Sequence, residues 1–222
     1  MPPKSPGSAR FGALSRRIPW VAPLYVGAVQ AGALATARLP RARRTELLRA
    51  NSTNVESLRA GRWHTLVTSA AFVEEPLSLP YGAALLAALG TAEVRWGPGR
   101  AAGVFAAGHI GASLLVYAGL RGRMHKSASP ALRAVRDSPP DATARAVDVG
   151  ASYGFYATLG ALASTVPHRG ARAAATAGLL ALGIRPVLRP GRTFTDAGHV
   201  TALALGVAIG AGSRVARAGR AR

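Results

Sequence analysis

The chain has 222 residues, 49% of them apolar, yet carries a formal net charge of +19. A soluble domain of this length has no ready use for both at once, whereas apolar spans joined by basic loops do. There is no cysteine, which excludes thiol chemistry and disulfides. Nucleic acid does not fit: the arginines fall in every interspan loop rather than along one stripe, and few aromatics lie among them to stack bases. Anionic lipid headgroups are the simpler counterpart, so the bilayer is the expected partner.

In chain order, residues 1–17 read as a basic N-terminal tail. Ile18 to Ala37 reads as a first span, with Trp20 and Tyr25 as interface anchors. Arg38 to Trp63 is polar and predicts a short surface helix around Thr45 to Leu58. Leu66 to Val73 is too short to cross and is expected to be re-entrant or interfacial. Leu77 to Glu93 is the second span, Gly97-Pro98-Gly99 a tight turn, and Arg100 to Leu120 the third span. A long polar loop, Arg121 to Val147, leads to the fourth span, Val149 to Val166. Ala171 to Leu188 is the fifth span, and Ala197 to Gly212 the short, small-residue-rich sixth. Residues 213–222 read as a basic C-terminal tail, and 18–212 as one six-span, all-α membrane domain. No cleavable signal peptide and no internal repeat are evident; with no broken-helix pair either, a transporter is disfavoured. With the N-terminus inside, roughly 12 basic residues lie inside and 16 outside, so the positive-inside rule does not orient the chain.

Ionisable groups within or at the edge of spans are the chemical candidates: His109, Asp148, Asp196 and His199. Ser152 lies in the string Asp148 to Gly154, and His199 in Thr195 to His199. A serine and a histidine on two helices form a dyad when the imidazole can take the hydroxyl proton. Close approach has a means in the sequence. Gly198, Ala202, Gly206 and Gly210 recur every fourth residue, and Gly150 and Gly154 open the fourth span. Such small-residue faces admit a neighbouring backbone, though they also pack helices in proteins without catalysis.

Asp148 and Asp196 could instead share a proton, as in intramembrane aspartyl proteases, but both precede helical runs where aspartate is a favoured N-cap. A carboxylate at Asp196, three residues before His199, could also orient the ring. His109 reads as a histidine hydrogen-bonded across helices. His64, His125 and His168 read as solvated, and Trp63 and Trp96 as interface anchors. No ligand spacing suggests a metal, and no cofactor is implied.

Several of these strings resemble the rhomboid intramembrane serine proteases. Gly150-Ala151-Ser152, with Tyr156 four residues on and Gly160 eight on, is similar to the family's G-x-S-G helix. His199 with Gly206 resembles its histidine helix. Glu93 to Arg100 resembles its E-x-R-x-G turn, and Trp63 to Ser69 its W-R-x-x-T stretch. The likeness covers about Gly61 to Gly212 and looks closest to divergent rhomboid-like membrane proteins of high-GC actinobacteria. It implies a multi-pass protein of the plasma membrane that cleaves transmembrane substrates, with Ser152 as nucleophile, His199 as base and Tyr156 packed on the imidazole. The sequence departs from the family at three positions. The H-x-x-x-N pair of the second span falls at Leu77 and Tyr81, and the second glycine of G-x-S-G is Tyr153. A lost oxyanion donor costs ~3 kcal/mol. Tyr81 and the backbone N–H groups around Ser152 are the remaining donors by this reading. An inactive relative that binds membrane clients is the alternative.

Overall fold

The computed structural model describes residues 18–126, 146–191 and 193–220. Among these residues all regular structure is helical: α1 (Val21–Ala37), α2 (Arg41–Asn51), α3 (Val55–Arg59), α4 (Thr65–Thr68), α5 (Leu79–Trp96), α6 (Pro98–Lys126), α7 (Ser152–Ser164), α8 (Arg169–Ile184) and α9 (Phe194–Arg220). A 3-10 turn, Pro186–Leu188, follows α8. The expected N-terminal tail and most of the long polar loop lie outside the described residues.

The segment expected to hold one surface helix divides into α2 and α3. The break falls at Ser52-Thr53-Asn54, where Ser52 is already extended and the Asn54 side chain accepts a hydrogen bond from the Ser57 N–H, capping α3. The stretch expected to be re-entrant holds only the single turn α4. Gly97 takes a positive φ of 83°, and Pro98, which lacks an N–H to lose, begins α6 directly behind it. The C-terminal residues expected to form a tail continue α9 to Arg220.

Among the described residues three segments are long and apolar enough to cross a membrane: Pro98–Gly122, Arg169–Leu188 and Phe194–Ala216. The other three expected spans differ in instructive ways. α1 is apolar but has 17 residues. α5 carries Glu93 and Arg95 in its last turn. α7 has only 13 residues, about 20 Å at 1.5 Å per residue, short of the ~30 Å hydrocarbon core. α7 compensates by position, because α5, α6, α8 and α9 all pack around it. Nine of its residues are buried, so protein rather than lipid covers its ends. It supplies Phe155, with Ala151 at its N-cap, to one apolar cluster, with Ala22, Leu85 and Leu89. It supplies Tyr153 and Ala157 to another, with Ala112 and Ala202.

α8, by contrast, buries no residue. Leu182 and Ile184 are exposed there, as are Leu188 in the turn that follows, Leu24 and Leu34 on α1 and Leu114 and Leu115 on α6. Leucine on the outer faces of several long helices is what hydrocarbon, not water, requires of a surface.

Close approach of α7 and α9 comes from their glycines. A Cβ added at Gly206 would lie 1.9 Å from the Ala157 carbonyl oxygen. A Cβ added at Gly160 would lie 2.3 Å from that of Leu203. Each helix thus uses a glycine to admit the other's backbone. Gly198 and Gly210 continue the α9 face, against the Tyr153 ring and the Ser164 hydroxyl.

Candidate active site

Ser152 is the first residue of α7 and is half-buried. Ahead of it the chain is tied down by a buried polar cluster. The Asp148 N–H donates to Ser52 Oγ (2.7 Å), the Thr53 N–H to the Asp148 carbonyl (3.1 Å), and the Gly150 N–H to the Ser69 carbonyl (2.8 Å). The Asn54 side chain donates to the Ala146 carbonyl at 3.3 Å. Gly150 has φ +141°, a backbone state that glycine alone adopts without strain. The glycine two residues before the serine therefore has a conformational reason in this chain.

Asp148 is not the cap of α7; that position belongs to Ala151, which has no side chain able to cap. The Asp148 carboxylate instead accepts hydrogen bonds from the hydroxyls of Tyr117 and of Tyr153, the latter at 3.4 Å. Burial pushes its pKa up; the two phenol hydrogen bonds oppose the shift. With no side-chain cap, no acceptor among the described residues receives the N–H of Ser152 or Tyr153. These groups form the positive end of the helix dipole beside the serine.

Asp196 is not an N-cap either. It sits in the first turn of α9, where its carboxylate accepts from the Thr193 N–H (2.7 Å) and hydroxyl (2.9 Å). The Thr193 hydroxyl in turn accepts from the Asp196 N–H at 3.2 Å. This is a capping box with aspartate in place of glutamate. The Asp196 carboxylate is held by Thr193 and makes no hydrogen bond to His199. The two aspartates thus have separate partners and separate tasks.

His199 lies one turn into α9. Its imidazole stacks on the Tyr156 ring with centroids 4.5 Å apart and planes 26° from parallel. The Tyr153 ring meets its edge at 5.6 Å. The Nε2 atom of His199 is buried and has no hydrogen-bond partner among the described residues. The Ser152 hydroxyl makes no hydrogen bond to it. Tyr81 packs edge-on against Phe155, with ring centroids 5.6 Å apart. Tyr25, expected as an interface anchor, points inward: its hydroxyl donates to the Ala70 carbonyl at 2.7 Å and its ring meets Phe105 edge-on. Trp20 and Trp63, also expected as anchors, are exposed.

A second serine and histidine meet elsewhere. Ser69 Oγ lies 3.0 Å from His109 Nε2, both buried, which satisfies the distance of a dyad. Thr53 Oγ1 lies 3.0 Å from Ser69 Oγ and 2.6 Å from the Thr65 carbonyl oxygen. A carbonyl can only accept, so the short Thr53–Thr65 contact takes the threonine proton. Ser69 then satisfies Thr53 by donating to it, and His109 Nε2–H donates to Ser69. That assignment makes a directed chain from His109 to Thr65, and in it Ser69 passes its proton away from the histidine. His109 is thereby the cross-bundle hydrogen-bonded histidine that the sequence suggested.

The buried set Ser52, Thr53, Asn54 and Ser69 was not among the residues singled out from the sequence. Its signal is the run Asn51 to Asn54, four short polar residues between two arginine-bearing helices. Four such residues in a row mark a segment whose side chains bond backbone rather than water.

An all-helical chain with lipid-facing leucines, a serine at the mouth of a central short helix and a histidine on a glycine-faced neighbour has the make-up of a rhomboid-like membrane protein. A family model described as "Rhomboid-like protein" (Rhomboid_2) matches residues 16–218, and the chain belongs to that family. No curated protein and no solved structure matches it.

Proposed function

We propose that this protein is a rhomboid-type intramembrane serine peptidase of six spans that cleaves transmembrane protein segments at the plasma membrane. Ser152 is its nucleophile and His199 its general base and then acid. The observation that carries the reading is the imidazole of His199, held flat on Tyr156, with a buried Nε2 that has no partner among the described residues. An unpaired buried ring nitrogen costs ~1–3 kcal/mol; His109 Nδ1 is left in the same state, so what supports the reading is the free Nε2 together with the place of His199 against Tyr156 of the Ser152 helix. In the reaction the Ser152 Oγ bonds to the scissile carbonyl carbon and its proton passes to His199 Nε2. The same proton then goes to the leaving amine as the peptide C–N bond breaks. Water, deprotonated by His199, hydrolyses the acyl-serine. The unpaired N–H groups of Ser152 and Tyr153 stabilise the oxyanion. The resting pair is not hydrogen-bonded; such contacts often tighten only when substrate binds.

The second reading is a client-binding relative without activity. Leu77 and Tyr81 favour it, since they replace polar side chains that aid the oxyanion in standard members of the family. Labelling of the purified protein by a fluorophosphonate separates the two. The peptidase reading expects labelling that Ser152→Ala and His199→Ala each abolish and that Ser69→Ala leaves in place. Equal labelling of wild type and Ser152→Ala excludes it.

A further inference from the structure

At the opposite end of the bundle from Ser152, three arginines line one cavity without a counter-charge among the described residues. Arg169 and Arg172 stand in the first turn of α8, and Arg214 near the end of α9. Together with Ser164 and Thr176 they line a cavity of about 360 Å³. Arg172 is fixed by its Nη1, which donates to the Val166 and Pro167 carbonyls at 3.0 and 3.3 Å. Arg214 Nε is buried and has no partner among the described residues.

Among the described residues no neutralising acid is at hand. From Val149 to Arg222 the sequence holds a single carboxylate, Asp196, at the other end of α9. Trp96 and Arg100 share a further cavity with Thr165, Gly210 and Ser213, so the end of α5 and the start of α6 lie at this same end. The acid there is Glu93, and its two oxygens are taken by the Val21 and Ala22 N–H groups at 3.1 and 2.8 Å. A buried charged donor left unpaired is expensive, so the cluster calls for an anion. Guanidinium forks match tetrahedral phosphate oxygens, with the Thr176 side chain at the cavity wall. All three arginines also fall within two turns of the ends of their candidate spans, at Arg169 and Ala216. That is headgroup depth, where basic pockets between helices receive lipid phosphates.

We infer that Arg169, Arg172 and Arg214 form a phosphate-binding site at the membrane surface, filled by the headgroup of an anionic lipid. The full chain, delipidated in detergent, tests this by native mass spectrometry with added phosphatidylglycerol, phosphatidylcholine or inorganic phosphate. Phosphatidylglycerol should be retained in preference to phosphatidylcholine, whose ammonium the arginines repel. The double variant Arg169→Gln/Arg214→Gln should weaken that retention by about fivefold per arginine. Arg169→Lys/Arg214→Lys should keep most of it, which separates lost charge from lost fold, and Arg41→Gln on α2 should change nothing. Displacement of the lipid by millimolar inorganic phosphate, with equal protection of the protein, supports the phosphate site and assigns it to the free ion. Equal retention of the two lipids by wild type, or undiminished phosphatidylglycerol binding by a folded glutamine double variant, overturns the inference.

Discussion

Gly206 of α9 rests on the carbonyl of Ala157 in α7, so closely that a single methyl group there would overlap the oxygen. This contact, with Gly160 against Leu203 one turn further along α7, sets the distance between the helix bearing Ser152 and the helix bearing His199. Gly206→Val should therefore force the helices apart, destabilise the protein by about 1–3 kcal/mol, and remove fluorophosphonate labelling. Gly212→Ala, in open space on the same helix, should change neither. Thermal unfolding in detergent beside the labelling assay reads both, and an unchanged Gly206→Val would mean that the contact does not position the site.

The stacking of Tyr156 on His199 is worth about 0.5–1.5 kcal/mol on general grounds. Tyr156→Phe keeps the ring and should label at close to the wild-type rate. Tyr156→Leu loses the stack and should label up to about tenfold more slowly, with little change in unfolding temperature. A tyrosine whose hydroxyl did the work would slow Tyr156→Phe as much as Tyr156→Leu.

Glu93 joins the end of α5 to the start of α1, whose own N-cap, Trp20, supplies no side-chain hydrogen bond. The carboxylate meets two orphan N–H groups and the positive end of the α1 dipole. Glu93→Ala leaves those donors buried and should cost about 2–4 kcal/mol. Glu93→Gln, which retains one acceptor oxygen, should cost about half as much. Unfolding midpoints of the two variants settle the order, and equal losses would point to packing rather than hydrogen bonding.

Asp148 makes stability depend on pH. Burial raises its folded-state pKa above the ordinary aspartate value, so the native state holds its proton more tightly than the unfolded chain does. Its contribution is complete below the ordinary aspartate pKa of ~3.9 and is lost as pH rises toward the elevated native value. Across that window the unfolding midpoint of wild type should fall while that of Asp148→Asn stays flatter. Parallel curves would show that Asp148 titrates normally.

Where the sequence could be read and where it could not follows from what each residue answers to. Hydropathy located the helical segments because lipid demands apolar length, and the four-residue spacing from Gly198 to Gly210 exposed the α9 face that meets α7. Asp148 and Asp196 were misplaced as N-caps because capping depends on backbone angles one to three residues away. Ala151 turned out to precede α7, and Thr193 to share a capping box with Asp196. α7 reads as a full span in the sequence because Val149 and Val166 are apolar, yet the helix is shortened at both ends. Gly150 turns the chain in front of it, and Thr165 folds its hydroxyl back onto the Ala161 carbonyl behind it. Long-range pairs such as Ser69 with His109 leave no periodic trace at all.

That pair gives the last prediction. If the hydrogen bonds run from His109 through Ser69 and Thr53 to the Thr65 carbonyl, Ser69 is a link in a structural chain. Ser69→Ala should then strand His109 Nε2 and free Thr53 from its second contact, costing about 1–3 kcal/mol. It should leave the rate of labelling at Ser152 unchanged at temperatures where the protein stays folded. His109→Gln should cost as much, because its amide reaches Ser69 less well than the ring does. Labelling lost in Ser69→Ala and kept in Ser152→Ala would transfer the nucleophile to Ser69, and with it the direction assigned to every proton in that chain.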